Sequence, residues 1–152
     1  MTNNNIYFIA NWKMFGSTKS VNSLNKVISY SKIKKLKAKI IYCPPYTLIK
    51  SFVNKTKNSN IEIGAQDCHV QPKYGPFTGA ISSKMIKDLG GKFVIIGHSE
   101  TRLENDNKKI NSKIKSALNE KLNVILCIGE KLIDKKKNKT KSVLRKQLLQ
   151  GL

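Results

Sequence analysis

The chain has 152 residues, 39% of them hydrophobic, and carries a formal net charge of +20. This composition excludes a disordered chain, and the length suits one domain with its own core. Because no apolar run approaches the ~18 residues of a membrane span and the N-terminus lacks the pattern of a signal peptide, we expect no membrane segment.

Lysine supplies nearly all of the positive charge, and Arg102 and Arg145 are the only arginines. A surplus this large suggests nucleic acid or an anionic membrane surface as a partner. Arginine, however, is the residue that reads bases and grips phosphate through two hydrogen bonds. The lysines are spread along the chain, without zinc-finger spacing or an RNA-binding aromatic motif. We therefore favour a solvated lysine-rich surface, with no specific nucleic acid and no membrane as partner.

Three cysteines, Cys43, Cys68 and Cys127, lie far apart in the chain and include no CxxC pair. An odd number of widely spaced cysteines favours reduced thiols over a disulfide framework. Reduced thiols are typical of cytosolic proteins, so we expect a cytoplasmic location.

The first half of the chain alternates short apolar runs with longer amphipathic ones. Strands are predicted over residues 6–10, 39–43 and 61–65, and helices over residues 18–31 and 46–54. The first helix has Val21, Leu24 and Ile28 at helical spacing, with Ser17 or Thr18 as its cap. A long loop rich in Gly and Pro follows over residues 66–82.

The second half repeats the pattern. A short helix over residues 83–89 precedes strands over 92–96 and 124–128. Between these strands, a helix is predicted from Ile110, Ile114, Leu118 and Leu122, which recur every four residues. Residues 134–141 are a lysine-heavy exposed loop or helix start, and a last helix is marked by Leu144, Leu148 and Leu152.

This order predicts about five βα units. Strands that are continuous apolar runs should be covered on both faces, and strands alternating with helices form a parallel sheet. The pattern does not decide between a doubly wound sheet and a barrel. Polar residues follow the strands, at Asn11, Lys13, Gln66, His98 with Glu100, and Glu130. They should gather at the carboxyl edge of the sheet, where sites lie in both architectures.

Five segments, in order, resemble motifs of the triose-phosphate isomerases. These are FIANWKMFGS at residues 8–17, GAQDCHVQPKYGPFTGAIS at 64–82, VIIGHSETR at 94–102, VILCIGEK at 124–131, and the pair Gln147-Leu148. They cover essentially the whole chain. The resemblance implies a TIM (β/α)8 barrel with only about the first five βα units present, as a single partial domain over residues 1–152; a complete barrel has roughly 250 residues.

The resemblance also implies a reaction and roles. The family interconverts dihydroxyacetone phosphate and glyceraldehyde 3-phosphate through an enediolate, in glycolysis and gluconeogenesis, without metal or cofactor. It is itself the standard case of an enzyme that pairs a glutamate base with a neutral histidine and a closing loop. Lys13 would be the cation near the substrate, with Asn11 beside it. His98 would be the electrophile and proton shuttle. Glu100 would be the acidic partner that holds the lysine region, and Ser99 would be a supporting residue near the base.

Two further positions carry roles by resemblance. Cys127 would be a small hydrophobe beside the site rather than a nucleophile. Thr78 would reach the neighbouring site of a homodimer through the loop over residues 66–82. Where the family usually has an acidic residue and an arginine, this chain has Ala80 and Thr101, which suggests that an ion pair has been lost as a unit.

The largest departure from the family is a missing segment. In the family, the segment that follows the sixth strand carries the catalytic glutamate and the lid, and the sequence of this chain does not include it. None of the five glutamates in this chain, Glu62, Glu100, Glu104, Glu120 and Glu130, has that context. We therefore expect the N-terminal portion of an isomerase, with two open sheet edges. The alternative is a catalytically inactive fragment that acts only as a binding or scaffold piece.

Overall fold

A computed structural model describes residues 6–32 and 38–152 of the chain. Its strands form one five-stranded sheet in the order β1-β2-β3-β4-β5, and every neighbouring pair is parallel. The strands are β1 Ile6–Asn11, β2 Ala38–Cys43, β3 Ile61–Ala65, β4 Phe93–Ile96 and β5 Asn123–Leu126. The predicted parallel sheet is confirmed. Consecutive pairing brings the carboxyl ends of all five strands to one edge.

The helices between the strands are α1 Leu24–Ser31, α2 Ile49–Thr56, α3 Ser83–Asp88 and α4 Asn107–Asn119, and two more follow β5, α5 Leu132–Lys136 and α6 Thr140–Gly151. The single helix predicted over residues 18–31 is divided, because a 3-10 segment at Thr18–Ser23 precedes α1. Small hydroxyl side chains compete for the backbone there. Ser17 N–H donates to Ser20 Oγ at 2.9 Å, and Ser23 Oγ donates to Ser20 O at 2.7 Å.

The core has two parts, one on each face of the sheet. On the helix side, Ile63 and Ile96 pack with Phe52, Ile86 and Ile110 in the larger cluster. On the other side lies a smaller cluster of alternate strand residues, Ile41, Cys43, Phe93 and Ile95. The central strands are thus apolar on both faces, as predicted.

The first strand does not follow that prediction. Four consecutive apolar residues of β1 are between 41% and 59% exposed: Ile6, Tyr7, Phe8 and Ile9. Within the described residues β1 pairs only with β2, so it is an edge strand with no neighbouring strand on its other side.

The four-residue series in α4 also needs correction. Ile110 and Ile114 are buried, but Leu118 is 56% exposed and Ala117 takes the inward place. A step of four residues overshoots a 3.6-residue turn by about 40°, so the series drifts off the buried face. Leu122 is buried, but it lies beyond the end of α4 at Asn119. Leu148 of α6 is also exposed, at 39%.

Candidate active site

The segment after β1 is anchored by its tryptophan. The ring of Trp12 meets Phe52 edge-on at 4.9 Å between centroids and Tyr42 at 6.3 Å. The backbone N–H of Trp12 donates to the Cys43 carbonyl at 3.1 Å, and this bond continues the β1–β2 pairing by one residue. The residue that follows Trp12 therefore starts from a fixed position at the carboxyl edge.

That residue, Lys13, adopts a left-handed backbone conformation with φ of +53°. A non-glycine residue pays a steric penalty there, and such conformations are often found at functional sites. Two neighbours hold it. Asn11 Oδ1 accepts the Lys13 N–H at 2.9 Å, and Gln66 Nε2 donates to the carbonyls of Lys13 and Cys43, each at 2.8 Å. The sequence interpretation gave Gln66 no role, although its place directly after β3 was the available signal.

The side chain of Lys13 reaches the loop after β4. Its Nζ donates to Glu100 Oε1 at 2.8 Å, with the two side chains 49% and 59% exposed. This hydrogen bond lowers the pKa of Glu100 below its ordinary value, so the carboxylate is ionised at neutral pH. The pair joins two loops that are 87 residues apart in the chain.

His98 lies on the other side of the same carboxylate, with its side chain 25% exposed. Its Nδ1 is 3.4 Å from Glu100 Oε2 and 3.4 Å from the Glu100 amide nitrogen. The amide can donate only to a ring whose Nδ1 bears a lone pair. A neutral His98 in this arrangement therefore carries its proton on Nε2, and the carboxylate contact becomes an ion pair only when the ring is protonated.

An open cavity of about 490 Å³ adjoins His98 between the loops after β4 and β5. Its lining includes Ser99, Arg102, Cys127 and Glu130, but neither Asn11 nor Lys13. The volume lies within the range of small-molecule sites. Glu130 is also tied to α6, because its Oε1 accepts the Thr140 hydroxyl at 3.1 Å.

Cys127 is partly buried, and burial raises the pKa of its thiol. A thiol that stays protonated near neutral pH is a poor nucleophile. The packing role of Cys127 beside the site stays a prediction. The backbone carbonyl of Cys127 accepts a hydrogen bond from Arg102 Nη2 at 3.0 Å.

Thr78 is exposed in the long loop between β3 and α3, and it makes none of the hydrogen bonds that join Lys13, Glu100 and His98. The base of this loop is closed by two contacts of His69. Its backbone N–H donates to the Ile81 carbonyl at 2.8 Å, and its ring packs on the Phe77 ring with 4.6 Å between the centroids. The role of Thr78 in a dimer stays a prediction.

Within residues 6–32 and 38–152, no group of three or more His, Cys, Asp or Glu side chains is placed to hold a metal ion. Over the same part of the chain, no helix combines the length and the apolar character needed to cross a bilayer.

Comparison with known proteins identifies the family. Residues 6–152 match the family model described as Triosephosphate isomerase. The triosephosphate isomerase of Wolbachia sp. subsp. Brugia malayi is 42% identical over 140 residues, which cover 91% of this chain and 58% of the relative. That of Dictyoglomus thermophilum is 41% identical over 146 residues, with shares of 94% and 58%.

Among solved structures, the triosephosphate isomerase from Bartonella henselae superposes with a TM-score of 0.90 at 35% identity, over 97% of this chain and 61% of that one. The chain thus spans less than two thirds of the length of these relatives. The predicted barrel family is confirmed, with the five parallel strands as its first βα units. The chain therefore belongs to the triosephosphate isomerase family of enzymes.

Proposed function

We propose that this chain supplies the electrophilic part of an isomerase that interconverts dihydroxyacetone phosphate and glyceraldehyde 3-phosphate through an enediolate. One observation carries the proposal. Lys13, Glu100 and His98 form a continuous chain of contacts at the carboxyl edge of the sheet, with Lys13 held in a left-handed conformation. The family membership supplies the substrate class.

The proposed roles follow from the geometry of the three side chains. The Lys13 ammonium, partly exposed and oriented by Glu100, would stabilise the negative charge of the substrate and of the enediolate. Asn11 holds the Lys13 backbone in place. A neutral His98 with its proton on Nε2 would donate to the carbonyl oxygen as charge develops there and pass the proton between the two oxygens. Ser99 and Cys127 would shape the adjoining cavity wall.

The catalytic glutamate is the part that this chain does not supply in our proposal. Glu100 is engaged by Lys13, and Glu130 is bound by Thr140. We propose that the base and the lid belong to a segment that follows the fifth βα unit in the relatives. The complete enzyme would be a cytoplasmic homodimer of glycolysis and gluconeogenesis, with Thr78 in the dimer loop and no cofactor. Three free cysteines agree with a reducing compartment.

A second function, as an inactive binding or scaffold piece, is favoured by the exposed first strand, whose apolar side chains offer a surface for another chain. An isomerisation assay on the purified 152-residue chain separates the two functions. We expect no detectable turnover, because losing a general base costs at least ~10²–10⁴ in rate. Full activity of this chain alone, abolished by His98→Gln, would overturn both the assignment of the base and the scaffold function.

The isomerase proposal is tested by a chimera. Residues 1–152 are joined to the remaining C-terminal part of the Bartonella henselae enzyme, as aligned in the superposition. We expect isomerisation that falls by ~10²–10⁴ in His98→Gln and also falls strongly in Lys13→Met. Lys92→Met is the matched control, since Lys92 is exposed and pairs with Glu62 away from the site. A folded chimera without activity would contradict the proposed roles.

A further inference from the structure

Arg102 is a cation held by neutral groups. Its Nε donates to the Gly97 carbonyl at 2.7 Å, its Nη2 to the Cys127 carbonyl at 3.0 Å and its Nη1 to Asn107 Oδ1 at 2.9 Å. No ion pair within residues 6–32 and 38–152 includes it. Burial lowers its pKa, yet a guanidinium stays charged at neutral pH. One side chain thus joins the end of β4, the end of β5 and the first turn of α4.

Gly97 makes room for this guanidinium. The glycine has φ of +76°, and a Cβ added to it would lie 3.0 Å from Arg102 Nη2 and 3.0 Å from the Cys127 carbonyl oxygen. A side chain at this position would therefore both strain the backbone and displace the arginine. Gly97 and Arg102 act as one unit at the end of β4.

That unit is directly attached to His98. The carbonyl held by Arg102 Nε belongs to the peptide that precedes His98. The carbonyl of His98 itself accepts the Arg102 N–H at 2.9 Å and the Thr101 hydroxyl at 3.0 Å. Both peptide groups that flank the histidine are therefore held by residues 101 and 102, and rotation of either would turn the imidazole away from Glu100.

We propose that Arg102 is a positioning residue that sets the orientation and the tautomer of His98. Its side chain acts through the Gly97 carbonyl, and its backbone N–H acts through the His98 carbonyl. Its role in isomerisation rests on the proposed function, but the orientation of His98 does not. Lysine cannot replace Arg102, because a compact ammonium lacks the planar fork. That fork lets the guanidinium reach the Gly97 carbonyl, the Cys127 carbonyl and the Asn107 amide oxygen together.

The test reads the histidine rings by NMR in the 152-residue chain labelled with ¹⁵N-histidine. The chain has two histidines, so His69 serves as an internal reference. We expect the wild-type His98 ring to show the pattern of a single tautomer protonated on Nε2. In Arg102→Lys this pattern should be lost, with the His69 signals unchanged. The control is Arg145→Lys, which alters the only other arginine, exposed on α6.

A second pair of variants keeps the proposal falsifiable if Arg102→Lys does not fold. Asn107→Ala removes one of the three contacts of the guanidinium, whereas Gln150→Ala removes only the other partner of Asn107, at 2.9 Å. The His98 signals should move in Asn107→Ala and not in Gln150→Ala. Unchanged His98 signals in a folded Arg102→Lys, or in Asn107→Ala, would overturn the proposal. An inactive chimera would refute the proposed function and leave this result intact.

Discussion

Replacing Lys113 by methionine should be among the most damaging single changes in the chain. Lys113 lies on α4 with its side chain only 9% exposed, and its Nζ pairs with Asp67 Oδ2 at the start of the loop after β3. The other carboxylate oxygen, Oδ1, is buried and has no hydrogen-bond partner among the described residues. Methionine keeps most of the apolar stem but leaves Asp67 without its cation.

The magnitude follows from the burial of the pair. Removing one partner of a buried ion pair costs about 3–5 kcal/mol of the free energy of unfolding, because the other charge remains buried and unpaired. The Asp67 side chain is 24% exposed, so water can partly hydrate the carboxylate. We therefore expect a loss of about 3 kcal/mol in Lys113→Met, at the lower end of that range.

Urea unfolding of the purified chain, followed by circular dichroism, measures the loss. With a denaturant dependence of about 2 kcal/mol per molar urea, the midpoint should fall by about 1.5 M. The control Lys92→Met breaks the exposed pair with Glu62, 3.2 Å apart, and should lose less than about 1 kcal/mol. The double variant Asp67→Asn with Lys113→Met should lose less than the sum of the single variants. Equal losses in Lys113→Met and Lys92→Met would refute the reasoning.

Three further predictions concern packing, pH and thiol chemistry. Gly64→Ala should destabilise the chain by about 1–3 kcal/mol in the same urea assay, since its new Cβ would lie 2.9 Å from Cys43 Sγ and 3.0 Å from the Phe93 carbonyl oxygen. The control is Gly129→Ala, because a Cβ at Gly129 would have no atom within 4 Å. Equal stability of the two variants would contradict the packing argument. Because the folded-state pKa of Glu100 is lowered, its pairing with Lys13 stabilises the fold at neutral pH, and this stabilisation is lost as the pH falls through that pKa. Lys13→Met should raise the pKa of Glu100 in an NMR titration. An unchanged titration curve would show that Lys13 is not the cause of the lowered pKa. Burial raises the pKa of Cys43 to about 12 and that of Cys68 to about 11. A thiol reagent at pH 8 should therefore modify neither cysteine in the folded chain, and it should modify both in urea. Rapid labelling of either cysteine without denaturant would contradict their burial.

Residue patterns alone predict the strands well, because each is a short apolar run with a clear end, such as the one before Pro44. The parallel order and the gathering of Lys13 and His98 at one edge follow from the alternation of strands and helices. The contacts that complete the site do not follow from any local pattern. Gln66 reaches Lys13 across 53 residues of sequence, and Arg102 reaches Cys127 across 25.

Periodicity also assumes that every apolar residue has a partner, and this is where the interpretation of β1 was wrong. Phe8 and Ile9 satisfy the strand pattern as well as Ile41 and Ile63 do. Whether a strand is covered depends on which elements flank it, and a run of side chains carries no information on that point. Leu118 shows the same limit on a helix, since a regular spacing need not match the helical turn.

The exposure of β1 has a consequence for the order in which the chain acquires protection. Amide hydrogens on a strand flanked on both sides exchange with deuterium only when the whole sheet opens, whereas an edge strand opens locally at lower free energy. Among the described residues, β3 pairs with a strand on each side, whereas β1 pairs with β2 alone. We therefore expect the amides of β1 to exchange before those of β3, and chaperones that bind short apolar segments would find β1 accessible after the central strands have closed.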